Sequence, residues 1–329
     1  MYCAARILFP FVVFAVSSCD TSTQETTIDT RDNVQVENRG AGKDRWYDAL
    51  PRPEWAQYES VPQPEPWFEV YRIQSDIFAI YEPGQFEEVI SFLIIGSNRA
   101  LLFDSGLGIG NMRSVIDSLT TLDVIVLNSH THYDHTGGNH QFEQILGRDT
   151  EWTRAREAGS THEDVAEFLA AGWVWKDLPA DFDAETYRSQ PFTISTIVSE
   201  GYEIDLGNRV LEVLVTPGHA PDALCLIDRK NRLLFTGDTF YLAPLYTHLE
   251  GSDFWHFRRT AARLAELAGD VDHVMTAHNV PVVDSNYLNQ LGDAFDTIVD
   301  GRGEYVLTDG NREYDFGDFS VIVRADILQ

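Results

Sequence analysis

The chain has 329 residues, 24 of them Lys or Arg against 52 Asp or Glu, for a formal net charge of −28. So acidic a surface repels phosphate backbones and argues against nucleic acid as a partner; the acidity itself reads as solubility or adaptation to a salty habitat. With 43% hydrophobic and 12% aromatic residues, the composition is that of a soluble globular protein with a substantial core.

Arg6 precedes the apolar run 7–16, too short to span a bilayer and suited to the core of an export signal. The run ends in Val16-Ser17-Ser18-Cys19, which resembles the lipobox of bacterial lipoproteins. That resemblance implies that Cys19 carries lipid and that the chain is exported to the periplasm or cell envelope. It also implies membrane contact only through this anchor; signal cleavage without lipid is the alternative. Residues 20–44 are polar, rich in Thr, Asp and Asn, and read as a disordered tether. Residues 45–329 read as a single domain. Cys3 leaves with the signal and Cys19 carries lipid, so only Cys225 remains and no intrachain disulfide is expected. Cys225 lies in the apolar run 223–227 and reads as a buried strand residue.

Residues 46–68 mix prolines with Trp46, Trp55 and Trp67, an irregular segment wrapped over the domain. Residues 77–81 and 89–95 read as strands, with Gly96-Ser97-Asn98 turning into a third at 100–103. Residues 111–119 have helical spacing, and the apolar run 124–127 reads as a buried strand. Strand, helix, strand in this order implies a parallel pair. Residues 141–190 are expected to form a mainly helical insertion, with Val165, Phe168 and Leu169 on one face. Trp173 and Trp175 are expected to pack over a neighbouring groove, with a lid as the alternative. Strands resume at 192–198, 202–206, 210–215, 224–227 and 233–235. Residues 258–268 read as a helix, 271–275 as a strand, and 303–323 as β-hairpin material or a small cap. The loop 242–253 is expected to border the pocket, with Tyr246 and His248 as substrate contacts.

The chemistry concentrates in Asn128-Ser129-His130-Thr131-His132-Tyr133-Asp134-His135, where strand 124–127 gives way to a loop. On an extended backbone, residues two apart project to the same side, so His130 and His132 can grip one ion. Asp134 and His135 follow where the chain must turn and can face a second position. Imidazoles with one carboxylate suit zinc or a neighbouring transition metal, not calcium or magnesium. Three further strand ends each deliver one metal-capable residue: His219, Asp238 and His278. Seven ligands suffice for two ions with open positions for water. His140, His162, His256 and His273 carry no motif and read as surface or core.

At this point the sequence resembles the metallo-β-lactamase-fold hydrolase superfamily, over residues 77–281. The resemblance implies a four-layer αββα sandwich, two mixed sheets flanked by helices, with two zinc ions at one sheet edge (iron or manganese as alternatives). It matches His130, His132 and His219 to the first metal site, and Asp134, His135 and His278 to the second. Asp238 matches the carboxylate that bridges them, and Asp104 an aspartate that orients a ligand histidine from behind. Two such ions share a water and lower its pKa toward neutrality, so that the hydroxide attacks a carbonyl which a metal polarises. Asp134 would also orient the nucleophile.

An aspartate at 238 departs from B1 β-lactamases, which place a cysteine there, and from B3 enzymes, which lack the bridging aspartate. Lactonases and glyoxalase II-like thioesterases share all seven ligands. Lactonases of acyl-homoserine lactones also have a tyrosine three residues after the bridging aspartate, as Tyr241 is here, to assist an oxyanion or leaving alkoxide; packing under the loop is the equal alternative. The expected activity is hydrolysis of a small-molecule ester, lactone or thioester. A β-lactamase, a mononuclear-iron sulfur dioxygenase, a phosphodiesterase and a non-catalytic metal-dependent binding protein are the competing readings. Oligomeric state is left open.

Overall fold

Side chains along these strands alternate between two buried faces, and that alternation sets the layers. The computed structural model describes residues 46–327, which fall within one compact unit, Asp44–Gln329. The export signal, the lipidation of Cys19 and the tether over 20–44 lie outside the described residues.

Eight strands form the first sheet in chain order: β1 (Glu59–Ser60), β2 (Glu69–Gln74), β3 (Ile77–Tyr81), β4 (Ile90–Ile95), β5 (Ala100–Phe103), β6 (Val124–Leu127), β7 (Ile145–Gly147) and β8 (Thr196–Ile197). In β3, Ile77, Ala79 and Tyr81 join the cluster between the sheets, while Phe78 and Ile80 join the outer one. β5 and β6 are parallel, joined by α1 (Met112–Leu119). The Asn111 side chain caps α1 by accepting from the Ser114 amide at 3.0 Å. Two short helices, α2 (Tyr133–Thr136) and α3 (Glu151–Arg156), follow β6 and β7.

The second sheet holds β9 (Glu203–Asp205), β10 (Val210–Val215), β11 (Leu224–Asp228) and β12 (Leu233–Gly237). The chain leaves it as β13 (Pro244–Tyr246) and returns as β14 (His273–Thr276) and β15 (Val282–Asp284), in the order β15-β14-β12-β11-β10-β9. Leu211, Val213, Leu224, Leu226, Leu233 and Phe235 face the first sheet, Phe235 meeting Phe92 edge-on at 5.3 Å. Leu214, Cys225, Ile227 and Leu234 face outward and pack with α4 (Phe254–Leu267) and α5 (Asn286–Val299). A third sheet of β13, β18 (Ser320–Arg324), β17 (Asn311–Asp315) and β16 (Val306–Thr308) joins the same outer cluster through Leu245, Tyr314, Val321 and Val323. The expected αββα sandwich is present, with this small sheet added.

One local expectation is corrected, and two elements were not anticipated. Residues 141–190 are not mainly helical: α3 and a 3₁₀ turn at Ala166–Leu169 are the helical pieces there. Gly172 at φ 102° and Pro179 break the periodicity. Aromatic contacts hold the turns instead. Phe168 stacks on Tyr133 at 4.1 Å, and Trp173 meets Phe86 and Phe168 edge-on. The loop 242–253 contains β13, paired in parallel with β18. Finally α5, which the sequence reading passed over, buries Leu288, Leu291, Phe295 and Ile298 at helical spacing.

Cys225 is fully buried in β11, and burial pushes its thiol up to about 11. The thiolate is the reactive form. Iodoacetamide at pH 8 should therefore leave the native protein's Cys225 unmodified and label it fully in denaturant, as mass spectrometry would read.

Candidate metal centre

All seven ligand candidates follow strand ends: β6 for His130, His132, Asp134 and His135, β10 for His219, β12 for Asp238 and β14 for His278. Carboxyl ends of strands collect binding groups because the loops there are free of packing duties. Past β6 the chain bends at Ser129 and His130, is extended at His132 (φ −71°, ψ 160°), and then turns into α2. His130 and His132 share a side, while Asp134 and His135 sit on the first helical turn. The two sheets meet here through the Leu224 amide, which donates to the Ser129 carbonyl at 2.8 Å. Gly237, at φ 49°, permits this approach: a Cβ there would lie 2.3 Å from the Ser129 Cβ.

The side chains converge in two groups. His132 Nδ1 lies 2.9 Å from His130 Nε2 and 3.0 Å from His219 Nε2. On the other side, Asp134 Oδ2 lies 3.1 Å from His135 Nε2 and 3.8 Å from His278 Nε2. Asp238 stands between, turning one oxygen to each group. Its Oδ2 is 3.4 Å from His219 Nε2 and 4.0 Å from His130 Nε2. Its Oδ1 is 2.9 Å from His278 Nε2 and 3.2 Å from His135 Nε2.

The remaining ring nitrogens explain which atom faces inward. His135 Nδ1 donates to Asp104 at 2.9 Å, His278 Nδ1 to the Glu87 carbonyl at 2.6 Å, and His219 Nδ1 to the Tyr246 carbonyl at 3.3 Å. His130 Nδ1 lies 3.0 Å from the Ser129 hydroxyl. The carboxylate and the two carbonyls can only accept, so they fix the His135, His278 and His219 tautomers with the Nε2 lone pair toward the site. Asp104 also accepts from the Ser129 amide at 2.6 Å, so one carboxylate orders both the loop and a ring.

These groups fit a metal. Burial and neighbouring imidazoles push His130 well down and His132 to about 3, and burial lowers His219, keeping all three in the ligating neutral form. Burial opposes protonation of His135 and His278 as well. The carboxylates override it, raising His135 well above the usual imidazole range and His278 to about 9. Burial would raise Asp238, yet His278 and His135 hold it well below the carboxylate range. This is the field of a site that attracts positive charge. Nε2 of His135 is buried and makes no hydrogen bond, although two carboxylate oxygens lie nearby. Such atoms face a shared point rather than each other, as ligands do. Among the described residues, three such triads have ligand atoms within 4.8 Å of one another: His130, His132 and His219; His130, His135 and Asp238; Asp134, His135 and His278.

Other candidates fall less centrally. Tyr241 is buried, its ring 4.7 Å from that of His278, and its hydroxyl donates to the Pro244 carbonyl at 2.9 Å. That donor is engaged within the fold, which favours the packing alternative. Tyr246 and His248 are half-buried neighbours 5.7 Å apart, and Tyr246 reaches the centre through its carbonyl. The motif-free His140, His256 and His273 are exposed and His162 is half-buried. The structure adds groups that sequence reasoning missed. Tyr133 donates to the Glu87 carboxylate at 3.0 Å, and the Trp152 ring lies 6.0 Å from His132. Glu87 sits in a featureless stretch before β4 and Trp152 in a short helix, so neither carried a signal in the sequence.

Known proteins share the family and the fold. The family model of the metallo-β-lactamase superfamily matches residues 86–310. The chain is 29% identical over 248 residues to the acyl-coenzyme A thioesterase MBLAC2 of Gallus gallus, covering 69% of this chain and 88% of the relative. It is 26% identical over 155 residues to a hydroxyacylglutathione hydrolase of Maricaulis maris, 46% of this chain and 47% of that one. Two solved structures share the fold. The sec-alkylsulfatase Pisa1 from Pseudomonas sp. aligns with a TM-score of 0.56 at 15% identity over 70% of this chain and 42% of its own. A metallo-β-lactamase from Pontibacter korlensis aligns at 0.50 and 16% over 70% and 99%. With the match spanning the strands and loops that assemble the centre, the chain belongs to the metallo-β-lactamase superfamily and is a hydrolase.

Proposed function

We propose that the chain is a binuclear metal hydrolase of thioesters, with esters and lactones as the neighbouring substrate class. The observation that carries the two-metal reading is Asp238, which directs Oδ2 to the His130, His132 and His219 group and Oδ1 to the His135 and His278 group. A carboxylate shared in this way would serve both ions. When bound, zinc, iron or manganese supplies a Lewis acid and an acidified water. His130, His132 and His219 would hold one ion, Asp134, His135 and His278 the other, and Asp238 both. Asp104 holds His135 in register, and the Asp134 carboxylate, aimed into the centre, would orient the nucleophile. Most of these groups are buried, while His132 and Tyr133 are half-exposed and face the approaching substrate.

Thioesters come first because relatives matched over most of the chain are acyl-coenzyme A thioesterases. The envelope location read from residues 1–19 belongs to this proposal. The test is a panel of acyl-coenzyme A and acylglutathione thioesters, lactones, aryl esters, phosphodiesters and β-lactams, run on metal-loaded protein with and without chelator. The expected result is chelator-sensitive hydrolysis, fastest on thioesters. Turnover confined to β-lactams or phosphodiesters would replace the substrate assignment, and iron with oxygen consumption would replace the hydrolytic one.

A further inference from the structure

We propose that Asp222 is a positioning residue for His130, His132 and His219. It lies three residues beyond His219 and is 3% exposed. Its Oδ2 accepts from the Thr131 hydroxyl at 2.6 Å and from the Thr153 hydroxyl at 3.0 Å. Thr131 stands between His130 and His132. Its hydroxyl is engaged by Asp222, while the imidazoles on either side of it converge on each other and, through His132, on His219, so the bond to Asp222 holds the loop that carries both rings.

The His219 loop needs the same support. Its ends are closed by the Thr216 amide donating to the Ala223 carbonyl at 3.0 Å and by the Leu224 amide on Ser129. Neither bond reaches from the His219 loop to the residue between His130 and His132. The Asp222 carboxylate does, and a charged acceptor makes each hydroxyl bond shorter and stronger than a neutral one. One buried oxygen therefore couples the two segments that supply all three nitrogens, and Thr153 extends the tie to α3. Arg148 and Arg156 lie close enough to feel this carboxylate, although burial still raises its pKa. Asp104 holds the His135 ring directly, whereas Asp222 acts through the Thr131 hydroxyl on the loop that carries His130 and His132.

The inference rests on the metal-holding reading of the site and not on any choice of substrate. Cobalt(II)-loaded full-length protein tests it, with affinity read by chelator competition and ligand geometry by visible absorption. Thr131→Val should weaken one of two cobalt ions about 10- to 100-fold and shift its absorption. Thr131→Ser restores the hydroxyl and should bring back native affinity and spectrum. Thr153→Val breaks only the α3 arm and should change neither. Asp222→Asn keeps an acceptor oxygen and should bind cobalt more tightly than Asp222→Ala. Native-like affinity and spectrum in Thr131→Val, equal effects of Thr131→Val and Thr153→Val, or no rescue by Thr131→Ser would overturn the positioning role alone. Native protein that takes up no cobalt would overturn the metal reading and this inference with it.

Discussion

Asp238→Asn is expected to lower the hydrolytic rate by about a thousandfold or more, on the order of 4 kcal/mol of transition-state stabilisation, and to release one of two bound metals. An amide presents one oxygen and one N–H donor, so it cannot offer an acceptor to each group. The side chain is only 7% exposed and stands within 4.0 Å of four imidazoles. Removing its charge leaves Asp134 as the remaining carboxylate among these rings to draw cations to the centre. Metal analysis and a rate on the best thioester of the panel would check both halves. A rate within about threefold of native, with both metals retained, would sink the bridging role.

Asp104→Asn is expected to weaken metal binding about 10- to 100-fold while leaving the fold intact. Asp104 is fully buried and adopts φ 65°, a left-handed conformation that asparagine shares, so the backbone is undisturbed. The carboxylate accepts from His135 Nδ1 and from the Ser129 amide. An asparagine oxygen can serve one of them. Its N–H₂ must then face the other donor or turn the imidazole over, which takes Nε2 away from Asp134 and Asp238. Unchanged affinity measured by chelator competition would show that His135 needs no such support. A large loss of thermal stability in the metal-free variant would instead mark Asp104 as a packing residue.

The legible part of the sequence was the part with a local pattern. The apolar runs of β3 to β6, β11 and β12 are nearly continuous because both faces of each sheet are buried there, one under helices and loops and one against its partner sheet. The His130–His135 cluster was legible for a related reason: ligands need a strand end followed by a turn, and both leave patterns. What escaped had no local pattern. The segment 141–190 is held by aromatic contacts such as Phe168 on Tyr133, made across the fold. Nothing local marks Asp222, because its partners, Thr131 and Thr153, lie far away in the chain. Tyr241 stands at the spacing of a catalytic tyrosine, yet its hydroxyl is engaged by the Pro244 carbonyl three residues on. Spacing could not distinguish those two uses.

The central claim is that seven side chains at the edge of two sheets hold two metal ions. Metal content per chain, measured on purified protein after zinc loading and removal of loose ions, tests it most directly. The account predicts two ions per native chain and fewer than two in Asp238→Asn. A native chain that retains one ion or none would contradict it.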